Sequence, residues 1–489
     1  MARVLFSLTD STGAAQFARK LADLGFEIVA TGGTAKVLTK EGLTVTACES
    51  LTGFAQLLGG RVKTLHPMVH GPLLARRTEE DLAQLRQLGT EPFDLLVCNL
   101  YDFSEAAKRG AGWDELIEHI DIGGVALLRA AAKNHAYCPP VCDPADYDAV
   151  AQALATGSFD EDMRRALALK AFAHTAAYDS LISTTLAEAS GKALGTGLRY
   201  GENPWQKASL TGKSPCWRLL GGKELSYNNI LDLDAALRAL ALSGPRPTVA
   251  LLKHTTPCGM AEGDTLADAF HKAFACDQRS PFGGVAVFNQ APQASDLEAL
   301  KGLFLELLVL PDIDETLAND LMSRRKNLRL ILAPNPTAPA WSRKTTWAGE
   351  LIQQDTLPPL PRLEEVTWVG TPRPELWDDL LLAWKAAALA KSNAIALARD
   401  GATLAIAGGC TSRVDAVESC FFKAGDRAKG TVLASDAFFP FADNIEVAAK
   451  AGVIACIQPG GSKADEEVFE TARRLGLSMA LTGLRTFRH

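Results

Sequence analysis

The feature that most constrains the fold of this chain is a regular alternation between short apolar runs and amphipathic segments. In the first part, the apolar runs Val4–Leu8, Phe26–Ala30 and Leu95–Leu100 are separated by segments with helical spacing of apolar residues. Such runs predict buried strands, and the segments between them predict crossover helices. The sequence therefore predicts an α/β protein built on parallel strands.

Length and one break in the pattern predict two domains. The chain has 489 residues, more than one hydrophobic core usually organises. A long helical pattern that ends near Ala189 is followed by the glycine-rich segment Gly191–Gly201, where we place the boundary. We predict domains at 1–190 and 191–489, the second divided into two similar subdomains near 335–375. Strands of the second domain are predicted at 249–252, 284–288, 394–398, 403–407, 432–434 and 453–457.

Charge and cysteine usage exclude several classes of protein. The formal net charge of -7 argues against a nucleic-acid-binding protein, whose phosphate contacts need a basic face. The 10 cysteines are scattered and do not form the paired spacing of a zinc site, so we expect reduced thiols. Neither a signal peptide nor an apolar stretch long enough for a membrane is recognised. We expect a cytoplasmic location without membrane partners.

The dipeptide Lys253-His254 is the strongest chemical signal. It ends a predicted buried strand and is followed by Thr255–Gly259, which we predict to be a loop. Ligands of open α/β sheets bind beyond strand ends, so a cation and an imidazole here suggest catalysis. A lone histidine is more often a core residue, but the adjacent lysine favours chemistry. Pro257-Cys258 lacks the rest of a zinc-deaminase signature, so a zinc-activated water is not predicted.

Two helix starts in the first domain suit anions. Thr31-Gly32-Gly33-Thr34 follows a strand and opens a helix whose unpaired N–H groups would bind a phosphate, although a ligand-free tight turn is the alternative. Asp121-Ile122-Gly123-Gly124 precedes a second helix that ends near Lys133. A capping carboxylate and a solvated lysine are the alternative for that helix.

A third segment, between positions 61 and 70, holds two cations and two histidines. His66 and His70 have the spacing of a zinc motif, but Pro67 argues against a plain helix and no glutamate follows His66. We therefore predict no metal here and assign Lys63 to stabilising an anion or an intermediate. In the second domain, the Asn393 amide either orients a ligand or caps a turn.

Together these segments resemble a family, the bifunctional purine-biosynthesis enzymes that join AICAR transformylase to IMP cyclohydrolase. The resemblance covers essentially the whole chain. The motifs that carry it are Arg61-Val62-Lys63-Thr64-Leu65-His66-Pro67, Asn99-Leu100-Tyr101, Asp121-Ile122-Gly123-Gly124, Ala132-Lys133-Asn134-His135, Leu198-Arg199-Tyr200-Gly201-Glu202-Asn203-Pro204, Lys253-His254-Thr255, Lys391-Ser392-Asn393-Ala394 and Ala434-Ser435-Asp436-Ala437-Phe438-Phe439-Pro440-Phe441.

The resemblance implies a fold and two reactions. It implies an N-terminal methylglyoxal-synthase-like domain and a C-terminal transformylase of two cytidine-deaminase-like subdomains without zinc. The transformylase passes a formyl group from the co-substrate 10-formyltetrahydrofolate to AICAR, and the cyclohydrolase closes formyl-AICAR to IMP with loss of water. Neither step needs a metal or a redox cofactor, and family members are commonly homodimers.

The resemblance also implies residue roles. In the transformylase, His254 is the base, Lys253 the electrophilic helper and Asn393 the group that orients the reactants. Substrate contacts of this half are implied for Arg199, Tyr200, Asn229, Gly283, Arg413 and Arg485, and folate contacts for Phe438, Phe441 and Asp443. In the cyclohydrolase, the catalytic residues implied are Lys63, Tyr101, Asp121 and Lys133. Its substrate contacts are implied for Ser7, Thr31, Gly32, Gly33, Thr34, Arg61, Thr64, Gly123, Gly124 and Asn134.

Several positions depart from the family pattern. Ser11 stands where a lysine is usual and Asp102 where a proline is usual, so weaker phosphate binding and an unfavourable charge are expected at the first site. The departures in the transformylase half are Thr256, Trp205, Pro281, Cys410 and Thr411. Two alternatives therefore stay open: a transformylase with an inactive first domain, and a catalytically silent nucleotide-binding regulator.

Overall fold

The computed structural model describes residues 1–54, 56–192, 194–212 and 216–489. These residues divide into two compact units, Met1–Leu194 and Gly195–His489.

The first unit is a parallel sheet surrounded by helices. Its strands are β1 (Arg3–Ser7), β2 (Glu27–Ala30), β3 (Thr46–Ala47), β4 (Leu95–Cys98) and β5 (Pro140–Val141). Its helices are α1 (Ala14–Asp23), α2 (Gly32–Lys40), α3 (Cys48–Thr52), α4 (Pro67–Leu74), α5 (Glu79–Gln87), α6 (Phe103–Lys108), α7 (Trp113–Glu118), α8 (Gly123–Lys133), α9 (Tyr147–Thr156) and α10 (Glu161–Ser190). The strand order is β3-β2-β1-β4-β5, and every pairing is parallel.

The strand order fixes where a ligand of this unit should bind. From β1 the chain passes to β2 on one side, and β4 lies on the other side of β1. Connections leave such a switch point in opposite directions and open a crevice beyond the carboxyl ends of the strands. Ser7 ends β1, and Asn99–Tyr101 follows β4, so both border this crevice. The predicted parallel α/β fold of the first domain is confirmed.

One helix boundary differs from the sequence prediction. Pro67 does not disrupt a helix but is the first residue of α4, with His66 as the N-cap. Proline fits the first helical position because its fixed φ is helical and its missing N–H has no partner there. The His66 Nδ1 accepts the Met68 N–H at 3.1 Å, so this imidazole caps α4.

The second unit consists mainly of one large mixed sheet. The strands of the second unit, inside and outside this sheet, are β6 (Thr196–Leu198), β7 (Ala208–Leu210), β8 (Arg218–Gly221), β9 (Thr248–Lys253), β10 (Thr256–Glu262), β11 (Gly284–Phe288), β12 (Leu305–Leu310), β13 (Arg329–Leu332), β14 (Trp341–Thr346), β15 (Gly349–Gln354), β16 (Thr367–Val369), β17 (Ile395–Arg399), β18 (Ala402–Ala407), β19 (Val432–Ser435), β20 (Ala455–Gln458) and β21 (Ser478–Leu481). Its helices are α11 (Tyr227–Leu242), α12 (Leu266–Cys276), α13 (Ala294–Glu298), α14 (Glu315–Arg324), α15 (Trp377–Leu389), α16 (Arg413–Ala424), α17 (Asp443–Lys450) and α18 (Asp465–Arg474). All six strands predicted for this domain are present.

The large sheet contains the same arrangement twice. Its twelve strands follow the order β16-β21-β20-β19-β17-β18-β10-β9-β11-β12-β13-β8. In each half an antiparallel hairpin, β9–β10 or β17–β18, is followed by three strands parallel to one another. Each half ends in an antiparallel strand, β8 or β16, and the halves meet where β10 pairs with β18. The topology thus shows a duplicated arrangement, for which the sequence carries no recognisable repeat.

The register places six strand ends at one end of this sheet. Val285 pairs with Leu252, Ile395 with Ala407 and with Ser435, while β10 runs antiparallel to β18. Consequently β9, β18 and β19 finish where β10, β11 and β17 begin. We call this the site end of the sheet.

The predicted loop after His254 is largely a strand. β10 begins at Thr256 and pairs with β9, leaving only His254 and Thr255 as the turn. The sequence prediction was wrong because Pro257 and Gly259 usually interrupt strands. Here the register shifts between them, and a bulge at this point accommodates the proline inside the sheet.

In the described part of the chain, no helix is both long and apolar enough to cross a membrane.

Candidate active sites

The Lys253–Thr256 turn holds its backbone in an uncommon conformation. His254 has φ 50° and Thr255 has φ 62°, the left-handed pattern of a two-residue type I′ hairpin turn. That conformation is unfavourable for side chains with a Cβ, and more so for β-branched threonine. The duplicated half has Asp400 and Gly401 at the equivalent turn, with φ 56° and 74°. Asp-Gly is a preferred sequence for this turn, whereas His-Thr is not. The strained turn therefore indicates a functional site.

Replacing Thr255 by glycine is expected to raise the free energy of unfolding by about 1 kcal/mol, because glycine adopts positive φ without the Cβ clash. The Thr255 N–H, which donates to Asp232 Oδ1 at 2.7 Å, is kept. Chemical denaturation followed by circular dichroism measures the change. Gly401→Thr, the reverse change in the equivalent turn, should destabilise the protein. Loss of stability in Thr255→Gly would contradict the strain assigned to this turn.

Lys253 is positioned by backbone carbonyls. Its ammonium donates to Phe282 O at 2.9 Å and to Gly283 O at 2.8 Å. Gly283 has φ 66°, and a Cβ added to it would lie 3.2 Å from Lys253 Nζ. A lysine ammonium has three N–H donors, so one remains for a ligand at the site end.

Asp232 is a residue of this site that sequence reasoning missed. It lies on α11 and accepts the Thr255 N–H, which fixes the turn that carries His254. Burial raises the pKa of Asp232, while that hydrogen bond and the nearby His254 and Lys253 oppose the rise. Nothing in the local sequence distinguishes it from a surface carboxylate on a helix.

Asn393 belongs to a buried polar network at the site end. Its Nδ2 donates to Cys410 O at 3.0 Å and Thr411 O at 3.3 Å, and its Oδ1 accepts from Arg413 Nη2 at 2.7 Å. Arg413 also pairs with Asp436. The amide of Asn393 therefore has one fixed orientation. Because the contacts of Cys410 and Thr411 are main-chain carbonyls, their departure from the family pattern leaves this arrangement intact.

Arg413 lies inside the network that holds Asn393. The sequence predicts a substrate contact, whereas the guanidinium is buried and engaged by Asp436, by Asn393 and by the Ala394 carbonyl at 3.2 Å. Asp436 accepts in addition from Ser392 Oγ at 2.5 Å and from Ala394 N at 3.0 Å. We therefore assign Arg413 a positioning role through Asn393.

Three of the predicted nucleotide contacts of this unit, Arg199, Tyr200 and Asn229, lie near the amino end of α11. Arg199 donates to Tyr200 OH at 3.0 Å, and its guanidinium lies 4.7 Å from the Tyr200 ring centre. The loop that follows them is fastened to α11 because Asn228 Nδ2 donates to Glu202 O at 3.3 Å. Asn229 is buried, and its Oδ1 accepts from Ser226 N at 3.1 Å in a capping box.

The predicted folate contacts follow β19 at the same end of the sheet. Phe441 is 64% exposed, whereas the neighbouring Phe439 is buried in the core. Phe438 is half-buried, and Asp443 is exposed as the first residue of α17. Arg485 follows β21, which runs parallel to β20 and β19, so it reaches the site end as well. About 14 Å, three strand spacings, separates Lys253 from the start of β17 beside Asn393.

In the first unit, Asp121 is the centre of the predicted site. It is buried, and its carboxylate accepts from Gly124 N at 2.7 Å and from Tyr101 N at 3.4 Å. Burial raises the pKa of Asp121, while these N–H groups and the charge of Lys63 oppose the rise. A Cβ on Gly124 would lie 2.6 Å from Asp121 Oδ2, so only glycine fits there. The structure thus brings Asp121, Tyr101 and Lys63 together.

Lys133 and Asn134 lie away from that cluster. Lys133 ends α8, about 15 Å along the helix axis from Gly123 at its start. The Asn134 amide donates to Leu73 O at 2.8 Å and Ala75 O at 3.0 Å, which fastens the end of α8 to the end of α4. The shared sequence motif does not place either residue next to Asp121.

The predicted phosphate segment lines the crevice beyond β1 and β2. Thr31 Oγ1 lies 3.5 Å from Ser7 Oγ, and Thr34 Oγ1 accepts from Leu8 N at 2.9 Å. Gly32 and Gly33 form the first turn of α2, and the side chain of its N-cap residue Thr31 makes no capping hydrogen bond. These unpaired donors suit an anion.

Two further predicted residues of the first unit, Arg61 and Thr64, differ in their burial and in their contacts. Arg61 is exposed and paired with Glu118 of α7. Thr64 is buried, and a Cβ on Gly123 would lie 2.8 Å from its Oγ1. Thr64 therefore packs against the start of α8, beside Asp121.

The negative charge of Asp102, which is expected to be unfavourable for a phosphorylated ligand, caps a helix. Asp102 is the N-cap of α6, and its carboxylate accepts from Ser104 Oγ at 2.5 Å and Glu105 N at 3.2 Å. The hydrogen bond from Ser104 lowers the pKa of Asp102, with a smaller contribution from Glu105 N. Ser11 contributes its carbonyl to Ala14 N at the start of α1 but supplies no cation.

In the described residues, no group of three or more His, Cys, Asp and Glu side chains could hold a metal.

Comparisons with known proteins identify the family of this chain. The AICARFT/IMPCHase bienzyme family matches residues 131–423, and the MGS-like domain matches residues 13–126. The bifunctional purine biosynthesis protein PurH of Cereibacter sphaeroides is 43% identical, over 100% of this chain and 98% of its own. PurH of Mesorhizobium japonicum is 44% identical, over 100% of this chain and 97% of its own. The crystal structure of ForH is 35% identical over 40% of this chain and 100% of that chain, with a TM-score of 0.35. The chain therefore belongs to the AICARFT/IMPCHase bienzyme family.

Proposed function

We propose that this chain catalyses the last two steps of IMP synthesis, each at one of the two sites described above. The single observation that carries the proposal is full-length similarity to bifunctional PurH proteins. The strained Lys253–Thr255 turn and the buried Asp121 cluster supply suitable chemistry in each unit. The co-substrate is 10-formyltetrahydrofolate, the other ligands are AICAR, formyl-AICAR and IMP, and the location is cytoplasmic.

In formyl transfer, the 5-amino nitrogen of AICAR attacks the formyl carbon of the folate. His254 takes the proton that the amine loses, and the free N–H of Lys253 stabilises the oxyanion on that carbon. The C–N bond to the folate then breaks, and the folate nitrogen receives a proton. Asn393, held by Arg413, orients the carboxamide.

In ring closure, the carboxamide nitrogen of formyl-AICAR attacks the formyl carbon. Lys63 stabilises the developing oxyanion, and Asp121 and Tyr101 hold and move protons until the former formyl oxygen, now a hydroxyl, leaves as water. The phosphate lies at the start of α2 and is held by Ser7, Thr31 and Thr34 with the helix N–H groups. Lys133 lies at the far end of α8, so its position gives it no role in this step.

One mixture tests the proposal. Purified protein with AICAR and 10-formyltetrahydrofolate should form tetrahydrofolate and IMP in equal amounts. Accumulation of formyl-AICAR would instead support a transformylase with an inactive first domain. Absence of both products would support the silent regulator.

Asp121→Asn is expected to slow ring closure and to change how stability depends on pH. A carboxyl whose folded pKa lies above its ordinary value of 3.8 stabilises the fold while protonated. That contribution to the free energy of unfolding is lost as the pH rises from about 3.8, the ordinary pKa, through the raised pKa of the folded state. The variant lacks this loss because asparagine does not titrate. Urea denaturation at mildly acidic and at neutral pH measures this change in the free energy of unfolding for both proteins. An identical pH dependence in both proteins would contradict the assignment.

We also propose that the chain forms a homodimer through the ribbon β14–β15. Two-stranded ribbons are marginal in water, yet this one exposes Trp341, Trp347, Leu351 and Ile352 by 51% or more. Self-pairing of β14 would bring Arg343 and Lys344 of two copies together, whereas β15 carries Glu350 as its sole charge. The charge pattern therefore favours antiparallel pairing of β15 with β15 of a second copy.

Light scattering after size exclusion tests this interface. Ile352→Lys is expected to convert the dimer to a monomer, because two lysines would face the paired strands. Thr345→Lys, on the other strand of the ribbon, should leave the dimer intact. A dimer that survives Ile352→Lys, or a wild-type monomer, would rule out this interface.

A further inference from the structure

A carboxylate stands at the start of α2, where the ligand phosphate is proposed to bind. A Cβ added to Gly32 would lie 2.7 Å from Glu49 Oε1. In the described part of the chain, the side chain of Glu49 is the only one within 4 Å of that position. The amino end of α2 therefore already has a negative neighbour.

The fold explains why Glu49 reaches this point. β3 pairs in parallel with β2, with Ala47 beside Ala30. The next residues of both strands therefore leave the same end of the sheet, one into α3 and the other into α2. Glu49 is in the first turn of α3 and half-buried, so its side chain is directed along this end of the sheet.

The side chains described above around the start of α2 carry no positive charge. Ser7, Thr31 and Thr34 contribute neutral hydroxyls, and Ser11 supplies no cation. Thr31 does not cap the helix with its side chain. The unpaired N–H groups and the helix dipole attract any anion, whether it is a ligand phosphate or the carboxylate of Glu49.

We propose that Glu49 is a specificity-determining residue of the first site, whose carboxylate competes with the ligand phosphate for the amino end of α2. Glu49 thereby limits affinity for the phosphorylated ligand and leaves affinity for its nucleoside unchanged. The inference rests on the proposed function, because it takes a nucleotide as the ligand of this unit.

Coulomb's law sets the size of the effect. A dianionic phosphate roughly 6 Å from a carboxylate in a water-like dielectric is disfavoured by about tenfold in binding. Withdrawal of the Glu49 side chain on binding lowers this penalty, so we expect a gain of about three- to tenfold on its removal. Because the charges are partly exposed, the gain should shrink at high salt.

The test compares Glu49→Gln with Glu41→Gln in the full chain. Glu41 lies at the opposite, carboxyl end of α2 and is exposed, so its replacement makes the same charge change away from the phosphate. Isothermal titration calorimetry with IMP and with inosine gives the two affinities for each protein. The expected result is tighter IMP binding by Glu49→Gln alone, with inosine unaffected.

Three other results would overturn the inference, and they can be told apart. Equal IMP affinity in wild type and Glu49→Gln, even with a lower melting temperature, would leave Glu49 as a helix-stabilising carboxylate only. Equal gains in both variants would reflect net charge rather than position. Failure of IMP to bind wild type and Glu49→Gln alike would reject the nucleotide site itself, and with it the proposed ring closure.

Discussion

Replacing His254 by alanine is expected to lower the transformylase kcat by about a hundredfold to ten-thousandfold, the usual contribution of a general base. His254 is exposed in the turn, so its removal should not destabilise the core. Ring closure of added formyl-AICAR should continue at the wild-type rate, because it takes place in the other unit. Separate assays of tetrahydrofolate release and IMP formation measure the two effects.

The duplicated half supplies the control for this experiment. Asp400 occupies the same turn position as His254, with φ 56° against 50°. Asp400→Ala makes the same truncation at positive φ without touching the proposed base. A loss of formyl transfer in Asp400→Ala as large as in His254→Ala would show that turn conformation, not the imidazole, causes the defect. Full activity in His254→Ala would remove His254 from the mechanism.

The second large effect is expected when Arg413 is replaced by methionine. Its guanidinium and the Asp436 carboxylate form a pair with side chains 5% and 0% exposed. Removing one partner leaves a buried charge, which costs about 3–5 kcal/mol in the free energy of unfolding. The same change frees Asn393 Oδ1, so formyl transfer should also slow. Urea denaturation and the tetrahydrofolate assay measure the two consequences.

A double variant separates stability from function. In Arg413→Met/Asp436→Asn both charges are gone, and the asparagine Oδ1 can still accept the Ala394 N–H that Asp436 accepts at 3.0 Å, so no buried charge is left unpaired. We expect recovered stability and no recovery of formyl transfer, because Asn393 Oδ1 still lacks the hydrogen bond from Arg413. Recovery of both would mean that Arg413 acts only on folding, and wild-type behaviour of Arg413→Met would contradict the buried network.

The sequence by itself determined the elements and the class of fold. The apolar runs 284–288 and 249–252 form strands as predicted, because a short run of apolar residues that marks a buried strand can be read from the local sequence. The motif around Lys253 also located the turn that carries the proposed base. Local rules failed at Pro257 and Pro67, where a strand bulge and a helix start accommodate proline. Both depend on neighbours that the local sequence does not specify.

Only the tertiary structure decided which side chains meet. Asp232 reaches the His254 turn, and Asp436 holds Arg413, through pairings between residues far apart in the chain. Lys133 shares a helix with the Asp121 site yet lies at its far end, because a helix separates residues along its axis at a fixed rise. Periodicity fixes how each segment folds, whereas the register of β10 against β18 fixes which strand ends come together. That register depends on long-range packing, which no local pattern encodes.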